Sequence, residues 1–86
     1  MTARFTMYST PWCGYCHRLK KQLEREGIGF EAVDIARQPQ AAEIVERANG
    51  GNQTVPTLVF EDGTAMTNPS VAQVRDKVEE LEGLAS

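Results

Sequence analysis

A strand and the beginning of a helix meet in residues 5–16, which read FTMYSTPWCGYC. Apolar and polar side chains alternate from residue 5 to residue 9, a period of two that predicts a strand with one face in the core. Thr10 and Pro11 end this strand. Beyond them, apolar side chains recur at the spacing of a helix face, at Cys16, Leu19 and Leu23. The stretch therefore predicts a strand that leads directly into a helix, with Cys13 at the N-cap.

The remaining sequence alternates between the two periods. It predicts a strand over 30–35, a helix from Pro39 to the Asn-Gly-Gly of 49–51, a strand over 57–60, an Asp-Gly turn, a strand over 64–67 and a helix from an N-cap at Ser70 to Gly83. The helix between the first two strands makes them parallel, and the tight turn makes the last two antiparallel. We predict an α/β protein of order βαβαββα, a four-stranded mixed sheet with three helices in one domain over residues 1–86, with the last three residues frayed.

Composition narrows the class of protein. The 86 residues include 9 Lys or Arg and 12 Asp or Glu, a net charge of −3. This balance gives no electrostatic reason to bind nucleic acid. The apolar runs are far shorter than the ~20 residues that span a bilayer, and the first residues lack the apolar run of a secretory signal. We expect a cytoplasmic protein with no membrane partner, and a monomer, since no long apolar pattern demands a second copy.

The two cysteines, Cys13 and Cys16, form a single Cys-Gly-Tyr-Cys motif. A disulfide across so short a loop removes little chain entropy, so a purely structural pair is not expected. At a helix N-terminus, unpaired N–H groups and the helix dipole favour the thiolate and lower the pKa of a cysteine. Cys13 is therefore the candidate nucleophile. Cys16, one turn later and facing the core, is placed to attack a mixed disulfide on Cys13 and resolve it.

Metal binding is the competing interpretation of this motif. A structural zinc site needs four ligands, and beyond the cysteines the neighbourhood offers only His17, which a helix directs elsewhere. An iron–sulfur cluster would require two chains and external thiols. We expect no metal ligands in the isolated chain.

The order of a strand, a Cys-x-x-Cys helix and a Thr54-Val55-Pro56 segment before a hairpin resembles the glutaredoxin and thioredoxin superfamily over nearly the whole chain. The resemblance implies a thioredoxin-like fold of the glutaredoxin type. It also implies that the bond before Pro56 is cis and that the backbone of Val55 pairs with a bound thiol.

The sequence differs at two places from glutaredoxins that use glutathione, and these differences indicate a narrower group within the superfamily. Glutaredoxins that use glutathione usually carry a lysine where this chain has Thr10, and a Gly-Gly with following aspartates where it has Met-Thr-Asn-Pro-Ser at 66–70. With these neutral groups, and with the sequences of residues 12–16, 49–52 and 54–56, the chain resembles the mycoredoxins of actinobacteria. The resemblance implies a thiol–disulfide oxidoreductase that uses mycothiol as reducing co-substrate and binds no cofactor tightly. Its implied cofactor-binding residues are Thr10, Trp12, Tyr15, Val55, Pro56 and Asn68.

The partners implied by this resemblance are proteins that carry mycothiol mixed disulfides, with NADPH and mycothiol disulfide reductase upstream. Four alternatives stay open. They are a glutathione-dependent glutaredoxin, an electron donor to ribonucleotide reductase fed by thioredoxin reductase, an iron–sulfur cluster carrier and a non-catalytic adaptor. The donor type typically shows a Ser-Gly-Phe-Arg-Pro run, which this sequence lacks.

Overall fold

The computed structural model describes residues 4–85 of the chain, with side chains as far as Gly83. The elements are β1 (Phe5–Ser9), α1 (Gly14–Arg25), β2 (Glu31–Asp34), α2 (Pro39–Ala48), β3 (Thr57–Phe60), β4 (Ala65–Thr67) and α3 (Val71–Ala85). The predicted order βαβαββα is confirmed. No helix within residues 4–85 is both long enough and apolar enough to cross a membrane.

The four strands form one mixed sheet in the order β2-β1-β3-β4. β1 and β2 are parallel, with Met7 opposite Ala32. β3 runs antiparallel to both β1 and β4. The predicted directions of the first and last strand pairs are therefore confirmed. The central pairing of β1 with β3 brings the end of β1, where the cysteine motif begins, beside the start of β3, where the Thr-Val-Pro segment ends.

Both faces of the sheet are covered by helices, as amphipathic elements require. On one face, α1 and α3 pack against the apolar side chains of the central strands, in a core of Phe5, Met7, Leu19, Leu23, Leu58, Phe60, Val74, Val78 and Leu81. On the other face, α2 packs a smaller cluster of Tyr8, Ile35, Ala41 and Val45. The buried stripe of α1 holds its N-terminus at the end of β1, which fixes where the cysteines lie.

The two ends of α3 test the capping residues predicted from the sequence. The predicted N-cap at Ser70 is confirmed, because its Oγ accepts from the Gln73 N–H at 3.2 Å and the Gln73 Oε1 accepts from the Ser70 N–H at 2.9 Å. The predicted end of α3 at Gly83 was wrong, since the helix continues to Ala85. A glycine stops a helix by turning left-handed, and Gly83 does not. Two of the three residues expected to fray are thus helical, and Ser86 lies outside the described residues.

The hairpin turn between β3 and β4 is fastened to α3 by an ionic contact. Lys77 Nζ lies 2.7 Å from Asp62 Oδ2 and 2.8 Å from Glu80 Oε2. Asp62 also accepts hydrogen bonds from the backbone N–H and the hydroxyl of Thr64, at 3.1 and 2.7 Å. The hydrogen bond from Lys77, followed by those from Thr64, lowers the pKa of Asp62 to about 2. The charged carboxylate is therefore the form that the folded chain favours.

Candidate functional site

Cys13 is the N-cap of α1, as the sequence predicts. Its backbone is extended (φ −86°, ψ 106°), and its Sγ accepts a hydrogen bond from the Cys16 N–H at 3.1 Å. Its own N–H donates to the Thr10 carbonyl at 3.2 Å, which closes the turn after β1. An N–H that already points at this sulfur stabilises a negative charge on it in the reduced protein. The geometry therefore favours the Cys13 thiolate.

Cys13 and Cys16 are joined by a disulfide, with their Cα atoms 5.2 Å apart. This separation is ordinary for disulfides, so the pair fits the oxidised state with the helix intact. The two sulfurs differ in surroundings, because Cys13 is half-buried while Cys16 is only 3% exposed and faces the core, as predicted. An outer sulfur that meets substrate and an inner one that closes the bond is the arrangement that thiol–disulfide exchange requires.

His17 ties the loop before the motif to the helix. Its Nε2 lies 2.8 Å from the Pro11 carbonyl oxygen, so that nitrogen carries the hydrogen and donates. The side chain is exposed and lies one helical turn after Cys13. No local pattern in the sequence predicts this contact. Within residues 4–85, no group of three or more His, Cys, Asp or Glu side chains is arranged to hold a metal ion.

The Thr-Val-Pro segment lies directly against the cysteine motif. The Val55–Pro56 bond is cis, which confirms the expectation from the family resemblance. Cys13 Sγ lies 3.9 Å from the Val55 carbonyl oxygen. Because a disulfide sulfur carries no hydrogen, this is a van der Waals contact in the oxidised protein and not a hydrogen bond. Pro56 is buried, so it shapes the segment and offers little surface of its own.

The backbone N–H and carbonyl of Val55 are unpaired within residues 4–85, apart from the contact of the carbonyl with the Cys13 sulfur. Beside it, the Asn68 N–H donates to the Pro56 carbonyl at 2.8 Å, and Asn68 holds a left-handed φ of 48°. The Asn68 side chain is exposed and has no hydrogen-bond partner among the described residues. Two unpaired backbone groups and an amide thus lie at the edge of the cysteine motif.

The aromatic residues of the motif stand in solvent. Trp12 is 77% exposed and Tyr15 is 67% exposed, on either side of Cys13 in the sequence. Both rings are therefore accessible to a molecule that approaches Cys13.

Thr10 lies apart from Val55, Pro56 and Asn68, which the resemblance also implies to bind the cofactor. Its Oγ1 is buried and has no hydrogen-bond partner within the described chain. It lines a cavity of about 270 Å³ together with Cys16, His17, Lys20, Asp34 and Arg37, and neither Val55 nor Asn68 borders that cavity. The structure therefore groups Val55, Pro56 and Asn68 on one side of Cys13, with Thr10 in a cavity beside Cys16.

Comparisons with known proteins agree with this geometry. A family model described as glutaredoxin matches residues 5–64. The chain is 48% identical over 83 residues to a Mycobacterium tuberculosis protein provisionally named a glutaredoxin, across 96% of this chain and 99% of that protein. It is 42% identical over 76 residues to mycoredoxin 1 of Corynebacterium glutamicum, across 88% and 94% of the two chains.

The chain is also similar to a second kind of glutaredoxin-like protein and to a solved glutaredoxin structure. The chain is 37% identical over 59 residues to the glutaredoxin-like protein NrdH of Escherichia coli, across 69% and 70% of the two chains. The crystal structure of a glutaredoxin from Methanosarcina mazei matches with a TM-score of 0.74 and 25% identity, across 87% of this chain and 77% of that one. Motif, fold and relatives agree, and the chain belongs to the glutaredoxin family of thiol–disulfide oxidoreductases.

Proposed function

We propose that this protein reduces mixed disulfides between mycothiol and protein thiols, with Cys13 as nucleophile and mycothiol as the reductant. The observation that carries the proposal is the pair of neutral, unpaired hydrogen-bonding groups on the segment that contacts Cys13, namely the Val55 backbone and the neighbouring Asn68 side chain. Mycothiol is a sugar derivative of cysteine, rich in hydroxyl groups and free of carboxylates. Neutral donors and acceptors suit such a ligand, and the identity to mycoredoxin 1 supports the same assignment.

The reaction is two thiol–disulfide exchanges. The Cys13 thiolate attacks the mycothiol sulfur of the substrate, the protein–mycothiol S–S bond breaks, and the protein thiolate leaves and takes a proton. Cys13 now holds mycothiol in a mixed disulfide. A second mycothiol, as thiolate, attacks the bound mycothiol sulfur, releases the Cys13 thiolate and forms mycothiol disulfide. A separate NADPH-dependent reductase recycles that disulfide.

Cys16 provides a second route. Its thiolate attacks Cys13 and displaces mycothiol, and the Cys13–Cys16 disulfide that forms is the state of the present structure. This disulfide also protects Cys13 from over-oxidation. Turnover by the first route needs Cys13 alone. Such a cycle fits a reducing compartment, and we place the protein in the cytoplasm, acting as a monomer.

Glutathione is the second candidate thiol, and one observation favours it. Lys20 and Arg37 border the cavity that contains Thr10, so a carboxylate placed there would meet two cations. Arg37 is partly engaged, with its Nε 3.7 Å from Asp34 Oδ2. The identity to NrdH supports a third candidate, a disulfide reductase that accepts electrons from thioredoxin reductase.

A coupled assay separates these candidates. NADPH consumption is followed while the protein reduces a peptide mixed disulfide, once with mycothiol and its reductase, once with glutathione and glutathione reductase, and once with thioredoxin reductase alone. We expect kcat/KM to be at least about tenfold higher with mycothiol, which corresponds to 1.4 kcal/mol. Faster turnover with glutathione, or turnover with thioredoxin reductase only, would replace the proposal by the corresponding alternative.

A further inference from the structure

Asn49 occupies a junction of the fold that the exchange reaction does not use directly. It is the C-cap residue of α2, and its side chain is half-buried. Its Nδ2 donates to the Val45 carbonyl at 3.0 Å and to the Thr57 hydroxyl at 2.9 Å, and its Oδ1 accepts from the Thr67 hydroxyl. One amide thus joins the end of α2 to β3 and β4.

The chemistry at position 49 requires an amide. The Val45 carbonyl can only accept, so the group that faces it must donate, while the Thr67 hydroxyl needs an acceptor at the other end. Aspartate would place a carboxylate against the Val45 carbonyl and, at 3.4 Å, the Thr54 carbonyl. Alanine would leave the Thr57 oxygen, whose residue is 0% exposed, without its donor.

The two hydroxyl groups that Asn49 contacts belong to the chain neighbours of Pro56 and Asn68, beside which the substrate is proposed to bind. Thr57 and Thr67 are direct cross-strand partners. Pro56 precedes the first and Asn68 follows the second, and the Asn68 N–H donates to the Pro56 carbonyl at 2.8 Å. The Thr57 hydroxyl in turn donates to the Thr54 carbonyl at 2.7 Å, so both ends of Val55–Pro56 are tied to the group that Asn49 holds.

The network does not touch the nucleophile. The hydrogen-bond partners of the Asn49 side chain within residues 4–85 belong to α2, the segment before β3, β3 itself and β4, and none lies in residues 10–25. The groups that face the Cys13 sulfur from its own helix are likewise independent of Asn49. Loss of the Asn49 amide should therefore displace the Val55 backbone and Asn68, while the acidity of the Cys13 thiol is retained.

We propose that Asn49 is a positioning residue that holds the unpaired Val55 backbone and Asn68 in register with Cys13, and so sets the affinity for the mixed-disulfide substrate. The inference rests on the proposed function, because it assumes that a disulfide substrate docks on Val55. Preorganised docking of this kind is sensitive to small displacements, since a shift of about 1 Å can cost up to about 100-fold in rate.

The test compares Asn49→Ala with Gln53→Ala. Gln53 is a matched control, because its exposed amide makes one hydrogen bond within residues 4–85, to the Glu46 carboxylate at 3.2 Å, and none to the residues of the network. KM and kcat are measured with whichever mixed disulfide the wild type reduces. In parallel, the alkylation rate of reduced Cys13 by iodoacetamide is measured against pH. We expect Asn49→Ala to raise KM by about tenfold, with kcat within about twofold and the alkylation profile unchanged. Gln53→Ala should match wild type.

Thr67→Val provides a test that does not depend on the folding of the alanine variant. It removes only the hydroxyl that donates to Asn49, at an exposed strand position, and should raise KM by about threefold. Combined with Asn49→Ala it should add nothing further. An unchanged KM in both single variants would overturn the inference, as would a change in the alkylation profile that accounts for the loss. If the wild type reduces no mixed disulfide at all, it is the proposed function that fails.

Discussion

Replacement of Thr10 by valine should stabilise the folded protein and at the same time weaken its use of mycothiol, because the buried Thr10 hydroxyl has no hydrogen-bond partner within the described chain of the free protein. A buried polar atom without a hydrogen bond costs about 1–3 kcal/mol. Thr10→Val replaces that hydroxyl with a methyl group of similar size. We expect the free energy of unfolding of the free protein to rise by about 1 kcal/mol, because the valine methyl group needs no hydrogen bond.

Both effects are measurable. For a domain of this size, 1 kcal/mol raises Tm by about 4–8 °C. If the hydroxyl serves mycothiol, its loss removes one hydrogen bond of about 1 kcal/mol from the bound state, which corresponds to about a fivefold rise in KM for mycothiol. Thermal unfolding and the coupled NADPH assay provide the two values. Thr10→Ser, which keeps the hydroxyl, should leave KM near that of wild type.

The refuting result is specific. A Thr10→Val protein that melts below wild type and uses mycothiol with an unchanged KM would show that the hydroxyl has a structural partner and no ligand. The whole explanation of this cavity would then be wrong. The opposite-signed pair of changes cannot arise from a general loss of folding, because that would lower Tm and activity together.

Three further predictions follow from other parts of the fold. Cys16→Ser should keep mycothiol-dependent turnover within about threefold of wild type in the coupled assay, because the mycothiol route needs only one cysteine. Ser70→Ala should lower the free energy of unfolding by about 1 kcal/mol in urea titrations, through loss of the N-cap hydrogen bond of α3. The pKa of Asp62 is lowered from 3.8 to about 2, so the stability from its carboxylate is present above pH 4 and is lost as pH falls toward 2. Asp62→Asn should therefore remove part of the acid dependence of urea unfolding in that window, and an unchanged slope would contradict the contact with Lys77.

Local signals in the sequence predict much of this protein. The Cys13 N-cap, the inward-facing Cys16 and the cap at Ser70 depend on short-range geometry, which residue type and spacing determine directly. The cis bond at Pro56 is different, because spacing alone gives it a low probability and only the family resemblance predicts it. It is confirmed nonetheless.

The features that the sequence does not reveal are long-range. The hydrogen bonds of Asn49 to Thr57 and Thr67 span 8 and 18 residues, and no local pattern marks them. Likewise, the unpaired Thr10 hydroxyl is visible only once α1 and β2 enclose it. The sequence marks residues 49–52 by resemblance, yet their structural purpose becomes apparent only from the register of β3 with β4.

The central claim is that Cys13 exchanges with mycothiol in preference to glutathione. The most direct measurement offers reduced Cys16→Ser protein equal concentrations of mycothiol disulfide and glutathione disulfide, quenches the reaction early, and determines the adduct by intact mass and peptide mapping. We predict a single adduct on Cys13 that is predominantly mycothiol, and no adduct when Cys13 is also replaced by serine. A predominantly glutathione adduct, or an adduct at another residue, would contradict the account.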